Sequence, residues 1–349
     1  MTNDTPAAAD TPPFAGFWRR VVAACVDLLL LGAVGQLLGL LMFDTLVALG
    51  QAGQLVGLAI AWPYLGLLNS RLGRGQTPGK RLLGLRTVGR DGLLLTPAQG
   101  LRRAAVQCLP WFLNGLSLLP ALPPGATSTL AMMAAGVLIG ALGLGELYLL
   151  VFNRPSRRTL HDWAAGSSVI WGADTAAPAA APLARVHRIV LGLLTLLMLA
   201  LPPAVTPWLG QALAPVLALW QQLTPPAGTR VVNVTQGRNW TTSAGGGSHE
   251  LHYLVVSIER STAAADPAVL ARQIARQVLD SGRPLDGVDQ LGIVVRHGFD
   301  IGIASSWQDW RAWHSPAEWR AELGPVNTTA VGREGRPPAA NQGAARSLH

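Results

Sequence analysis

The chain has 349 residues, half of them hydrophobic and only 13% charged, with a mean hydropathy of +0.32 and a net charge of +8. A soluble globular chain carries about 25% charge, so this composition excludes an entirely soluble protein. Residues 225–349 hold 12 Arg against 11 Asp or Glu, so the positive excess belongs to the first part. There it points to topology and anionic headgroups, and away from nucleic acid.

Residues 1–13 lack a basic n-region, and the apolar run after Arg20 is too long for a signal core. They are expected to be a disordered cytoplasmic tail. The first span is expected at about 21–43. Arg20 and Asp27 lie seven residues apart, which on a helix gives nearly one face and about 10 Å of axial separation. A carboxylate inside lipid costs several kcal/mol unless it meets a partner or water, so an Arg20–Asp27 pair is expected.

A second span follows at about 52–69, with Trp62 and Tyr64 placed for an interface. The glycine-rich stretch 70–103 holds eight basic residues against the single acid Asp91. Residues 104–122 are apolar but contain Pro110, Asn114 and Pro120, and fit either a crossing or an interfacial helix. After a Pro123-Pro124-Gly125 turn, another span is expected at about 128–151, then a basic stretch, 153–188. The last strong span is expected at about 189–206, with Pro202, Pro203 and Pro207 breaking or kinking its end. The two basic stretches together carry 13 Arg or Lys, and the turns 44–51 and 123–127 carry none. Placing both basic stretches in the cytoplasm gives about five spans, an inner amino terminus and an outer carboxyl domain. Residues 208–223 read as an interfacial amphipathic helix anchored by Trp208 and Trp220.

From about 229 to 325 the pattern is that of a small soluble α+β domain. Strands are expected at 230–235 and 250–259, with a glycine-rich turn between them. Asp266-Pro267 opens a helix to about 281. Strands follow at 290–296 and 299–305. A tryptophan-rich helix is expected at 306–322, where Trp307, Trp310 and Trp313 recur every three residues. The tail 326–349 is expected to be disordered.

Several side-chain patterns bear on chemistry. Gly75-Gln-Thr-Pro-Gly79-Lys80-Arg81 superficially resembles a phosphate loop, but has three residues between its glycines instead of four and Arg where Ser or Thr is needed. Lys80, Arg81 and Arg86 are read instead as a headgroup-binding loop. Glu146 lies near the inner end of its span, where it either snorkels or faces the bundle. Thr159 or Asp162 caps a short helix after that span. His249 and His252 alternate on a strand and give no metal site. Cys25 and Cys108 read as small apolar residues. No cofactor, metal or nucleophile motif is expected, and neither is enzymatic activity.

Three segments stand in order: Phe14-Ala-Gly-Phe-Trp-Arg-Arg with Asp27, Gly75-Gln-Thr-Pro-Gly-Lys-Arg-Leu-Leu-Gly-Leu-Arg86, and Arg157-Arg-Thr-Leu-His-Asp162-Trp-Ala-Ala-Gly166. Together they resemble the RDD family of bacterial membrane proteins, named for one arginine and two aspartates. Arg20, Asp27 and Asp162 match here, over about 14–172. The resemblance implies an inner-membrane protein in contact with lipid and, for the family, proposed cation/proton antiport. It says nothing of the linker and span at 173–228 or of the outer domain.

Two functions follow as expectations. In one, Arg20, Asp27, Asp162 and Glu146 line an ion or proton pathway for monovalent cations or other small solutes. In the other, the charges are architectural and the protein is an anchor or assembly or sensor protein whose outer domain binds a partner. Homo-oligomerisation is open in both.

Overall fold

The computed structural model describes residues 14–113, 126–172, 182–242, 248–262 and 266–324. The expected amino-terminal and carboxyl-terminal tails and the Pro-Pro-Gly turn lie outside the described residues.

The amino-terminal half is helical. Helix α1 (Phe17–Leu49) ends at Gly50, whose φ of 52° suits glycine, and α2 (Gly53–Leu68) follows a single 3-10 turn. The two double back on each other, with Leu31 packed near Ala61 and Asp27 meeting Tyr64. Glycines at 35 and 39 of α1 and at 53 and 57 of α2 leave these helices a shallow groove in which residues 299–304 sit. Other α1 side chains point outward: Leu29 is 73% and Leu40 82% exposed. Such apolar exposure is unfavourable in water and suits lipid.

The glycine-rich stretch forms a short helix α3 (Pro78–Leu82) and strand β1 (Leu85–Gly89). Helix α4 (Pro97–Leu113) runs along α2, where Gly66 and Gly100 allow the two backbones to approach. Helix α5 (Ala126–Phe152) leads to α6 (Leu160–Ala165) and then strand β2 (Ser167–Trp171). Strands β1 and β2 pair antiparallel, Phe14 bridges Ile170, and the Ala15 amide donates to Val169. This small sheet was not expected from sequence. It ties the start of α1 to the loops before α4 and after α5.

Helix α7 (Arg185–Gln222) contains Pro202, Pro203, Pro207 and Pro215, yet it continues as one helix. The prolines were expected to break or kink the end of the span, with a separate interfacial helix at 208–223. Proline-containing helices persist in membranes where neighbouring groups and local adjustments re-satisfy the freed backbone. Among the described residues, three stretches are long and apolar enough to cross a membrane: Phe17–Leu68, which contains both α1 and α2, Met133–Phe152 and Arg185–Gln211. Helix α4 falls outside them.

The carboxyl-terminal region is a four-stranded sheet in the order β3 (Thr229–Thr242), β4 (Ser248–Arg260), β5 (Gln290–Asp300), β6 (Ser305–His314). Only β4 and β5 are parallel; α8 (Pro267–Asp280) connects them. Its stripe Leu270, Ala271, Ile274, Ala275 and Val278 covers Leu254, Val256, Ile258, Leu291 and Ile293. Leu219 and Leu223 at the end of α7 join this core, so the folding unit starts earlier than residue 229.

Residues 306–322 are not one helix. Ser315 caps α9 (Pro316–Leu323) in a reciprocal capping box with Glu318, and the tryptophans before it lie on β6. A spacing of three mimics a helical face, but on a strand it alternates sides. Trp307 and Trp313 lie opposite Gly298 and Gly292 on one face, and Trp310 points to the other. Tryptophan favours such half-buried pleated positions, and the two glycines make room for the rings. The expected strands 290–296 and 299–305 are one strand and the turn after it. Gly302, at φ 77°, makes that turn.

Candidate functional site: two buried carboxylates and a cavity

Asp27 and Asp162 are both buried, in different surroundings. Asp162 is the third residue of α6. Its carboxylate accepts from the Thr159 amide and hydroxyl in a capping box. Arg20 Nη2 of α1 lies 2.7 Å from its Oδ2, and Arg103 Nε and Nη2 of α4 lie 3.0 and 2.8 Å from its Oδ1. Arg20 also donates to the Arg157 carbonyl. One carboxylate therefore joins α1, α4 and α6. Burial alone would raise the Asp162 carboxyl, but Arg20, Arg103 and His161 hold it well below the ordinary carboxylate range.

Asp27 does not pair with Arg20, contrary to expectation. Arg20 is turned to Asp162, and Asp27 accepts from neutral donors: the Tyr64 hydroxyl at 2.9 Å, the Thr77 hydroxyl at 2.5 Å and the Gly79 amide at 2.9 Å. The Thr-Pro-Gly-Lys segment thus cradles the protein's own carboxylate. Thr77 caps α3, Pro78 begins it, and a Cβ on Gly79 would run into the Ala23 carbonyl.

Lys80 is not presented to headgroups. The residue is half-buried, but its ammonium end is enclosed, donating to Asn69 Oδ1 at 2.5 Å and Thr87 Oγ1 at 2.7 Å. Thr87 also donates to Asn69. Burial pushes Lys80 well below the ordinary lysine range; Arg103 and Arg20 push the same way, and Asp162 and Asp27 oppose them. Arg81 remains exposed beside Leu82, and Arg86 is half-buried on β1.

Glu146 turns inward. Its Oε1 accepts from the His161 amide at 2.8 Å, and its Oε2 lies 2.8 Å from His161 Nδ1, off the direction of a hydrogen bond. Burial lowers the His161 imidazole, with Glu146 opposing it. No cluster of three metal-ligating side chains forms among the described residues.

These groups border a cavity of about 870 Å³. One end carries Arg20, Asp27 and Lys80, and Phe112, Gly302 and Ile303 line the other. The walls between are mostly apolar, with Gln54, Gln107 and Glu146 among them. Sequence reasoning missed Arg103, which was one basic residue among eight, and Tyr64, which looked interfacial. The only clue to Asn69 and Thr87 is that they are polar residues next to apolar segments.

Residues 14–166 match the RDD family. The chain carries an RDD-family domain. The three motif segments of that domain meet around Asp27 and Asp162, and α7 and the carboxyl-terminal sheet lie outside it. No curated protein and no solved structure matches the chain. Apolar, outward-facing helices together with the RDD domain make this a membrane protein.

Proposed function

We propose that the RDD domain exchanges a small monovalent cation for a proton across a bacterial cell membrane, with Asp27 and Lys80 at the exchange site. The observation that carries this reading is the enclosed Lys80 ammonium, held only by neutral oxygens beside a carboxylate at the end of a cavity. A buried ammonium is costly and gives up its proton readily. Once Lys80 is neutral, Asp27 and the Asn69 oxygen lose that ammonium while Arg20 and Arg103 stay engaged with Asp162, and an incoming cation takes its place. Return of the proton to Lys80 expels it, one charge for one charge.

In this reading the chain crosses with its amino terminus in the cytoplasm, α1, α2, α4 and α5 of the RDD domain and the following α7 each span, and the sheet domain lies outside. Cysteines placed at the exposed Arg90 and Arg272 of intact cells test the topology, and only the second should be labelled by an impermeant reagent. The function is tested in proteoliposomes with a pH gradient across a panel of monovalent cations. Proton-coupled flux that is lost in Asp27→Asn and Lys80→Met supports it, and flux unchanged by both overturns it.

The buried Arg20–Asp162–Arg103 network favours a second role for that part of the site. It supports the reading of an anchor, in which the RDD domain is a fixed scaffold and the outer domain binds a partner. Loss of folded protein in Arg20→Ala and Asp162→Asn, with no cation flux in the wild type, would favour it.

A further inference from the structure

The turn between β5 and β6 does not lie free above the helices. It enters the RDD domain. Phe299 and Ile301 are fully buried against Leu46 and Val47 of α1. The Ala304 Cβ would lie 2.6 Å from a Cβ on Gly35, and the Phe299 ring occupies the place of one on Gly39. On α2, the Asp300 carbonyl would be 3.0 Å from a Cβ on Gly53, and the Ile301 carbonyl fills that position at Gly57. Four glycines on two helices thus form a groove that fits this hairpin's backbone.

Several polar groups of the hairpin find partners there. The Trp111 indole donates to the Gly302 carbonyl at 2.8 Å, and the Gln36 amide donates to the Ser305 carbonyl at 3.2 Å. The Ile301 amide closes the turn on Ala304 at 3.0 Å. Non-helical backbone at membrane depth is tolerated only where protein buries it or where it lines a cavity. Here it does both: Asp300, Gly302 and Ile303 line the cavity whose other end holds Asp27 and Lys80. Gly35 lies two turns beyond Asp27 on α1, about 12 Å along the axis.

We propose that the β5–β6 hairpin is a plug that closes the outer end of the cavity and must withdraw before a solute passes to the outer side. The solute path rests on the exchange reading above; the closure itself does not. The sheet domain outside the RDD domain would then regulate it by how firmly its own hairpin is seated.

Native Cys108 lines the cavity and is buried, so it reports closure. In full-length Cys25→Ser protein on intact cells, a charged maleimide added outside should label Cys108 slowly. Gly57→Leu leaves no room for the Ile301 carbonyl and should speed labelling at least tenfold. Labelling as slow as in the parent, in protein that elutes as a folded species, would overturn the plug. If Gly57→Leu does not fold, Gln36→Cys with Ser305→Cys decides. A short bis-methanethiosulfonate should link them in native membranes, and failure to link contradicts the docked hairpin. The link should abolish cation flux in proteoliposomes, and reductant should restore it; equal flux in linked and reduced protein overturns the plug. Faster labelling in Gly57→Leu with no flux in any variant would retain the plug and reject the exchange reading.

Discussion

Asp162 and Asp27 are both buried carboxylates in one small domain, and they are neutralised in opposite ways. Asp162 is met by two guanidiniums and a capping box, with each oxygen occupied by a cation. Asp27 is met by two hydroxyls and an amide, and the positive charge near it sits on Lys80, which burial pushes toward neutrality. A site that must change its charge cannot be locked by permanently charged arginines. A site that must hold three helices together benefits from them. The contrast assigns Asp162 to architecture and Asp27 to exchange, and each half can be broken separately.

The largest effect is expected at Asp162. Asp162→Asn leaves Arg20 and Arg103 buried without a counter-charge, and removing one partner of a buried pair costs about 3–5 kcal/mol. The yield of monodisperse protein in detergent should collapse, and the thermal midpoint of what remains should fall. A normal yield would remove the architectural half of the contrast. Asp27→Asn should cost far less, about 1 kcal/mol, because Tyr64 and Thr77 can rotate their hydroxyls to suit an amide. A thermal midpoint near wild type is the expected result, and a loss as large as that of Asp162→Asn would erase the distinction.

The pH dependence sharpens the contrast. Lys80 has a folded pKa lowered from 10.5, so between that lowered value and 10.5 the unfolded chain binds more protons. Stability should therefore rise with pH across this window and fall as pH drops through the folded pKa. Asp162 is also lowered, so its contribution is complete above the ordinary carboxylate range and is lost as pH falls below it. Thermal midpoints measured from pH 7 to 10 should rise more in wild type than in Lys80→Met. Identical slopes would mean that Lys80 is not burdened by burial.

The smallest effect concerns the exposed Arg81. Arg81→Gln should weaken the binding of anionic lipid to the detergent-solubilised protein by about 1 kcal/mol, as for one basic residue near such headgroups. Equal retention of anionic lipid by both proteins would take Arg81 out of headgroup contact.

Much of this was legible in the sequence. Apolar runs gave α1, α2, α5 and the first part of α7. Asp266-Pro267 gave α8, whose cap is the Asp266 side chain. The ordered motifs gave the RDD domain and the residues around which it folds. Pairing was not legible, because spacing along one helix puts Arg20 near Asp27 and cannot know that Asp162 competes for it. Nor was the sheet of β1 and β2, whose strands lie some eighty residues apart in sequence. On β6, a spacing of three tryptophans suggested a helix, although Gly302 and the Ser315-to-Glu318 capping box marked the real boundaries. The docking of the β5–β6 turn on Gly35, Gly39, Gly53 and Gly57 is a shape match between distant segments, and no periodicity encodes it.

The central claim is the division of labour between the two carboxylates. It is tested most directly by reconstituting wild type, Asp27→Asn and Asp162→Asn together and measuring cation-driven proton flux per folded molecule. The account predicts that Asp27→Asn folds and carries no coupled flux. It predicts that Asp162→Asn is largely lost on purification, with any folded remainder still carrying flux. Wild-type flux in folded Asp27→Asn, or folded but inactive Asp162→Asn, would contradict it.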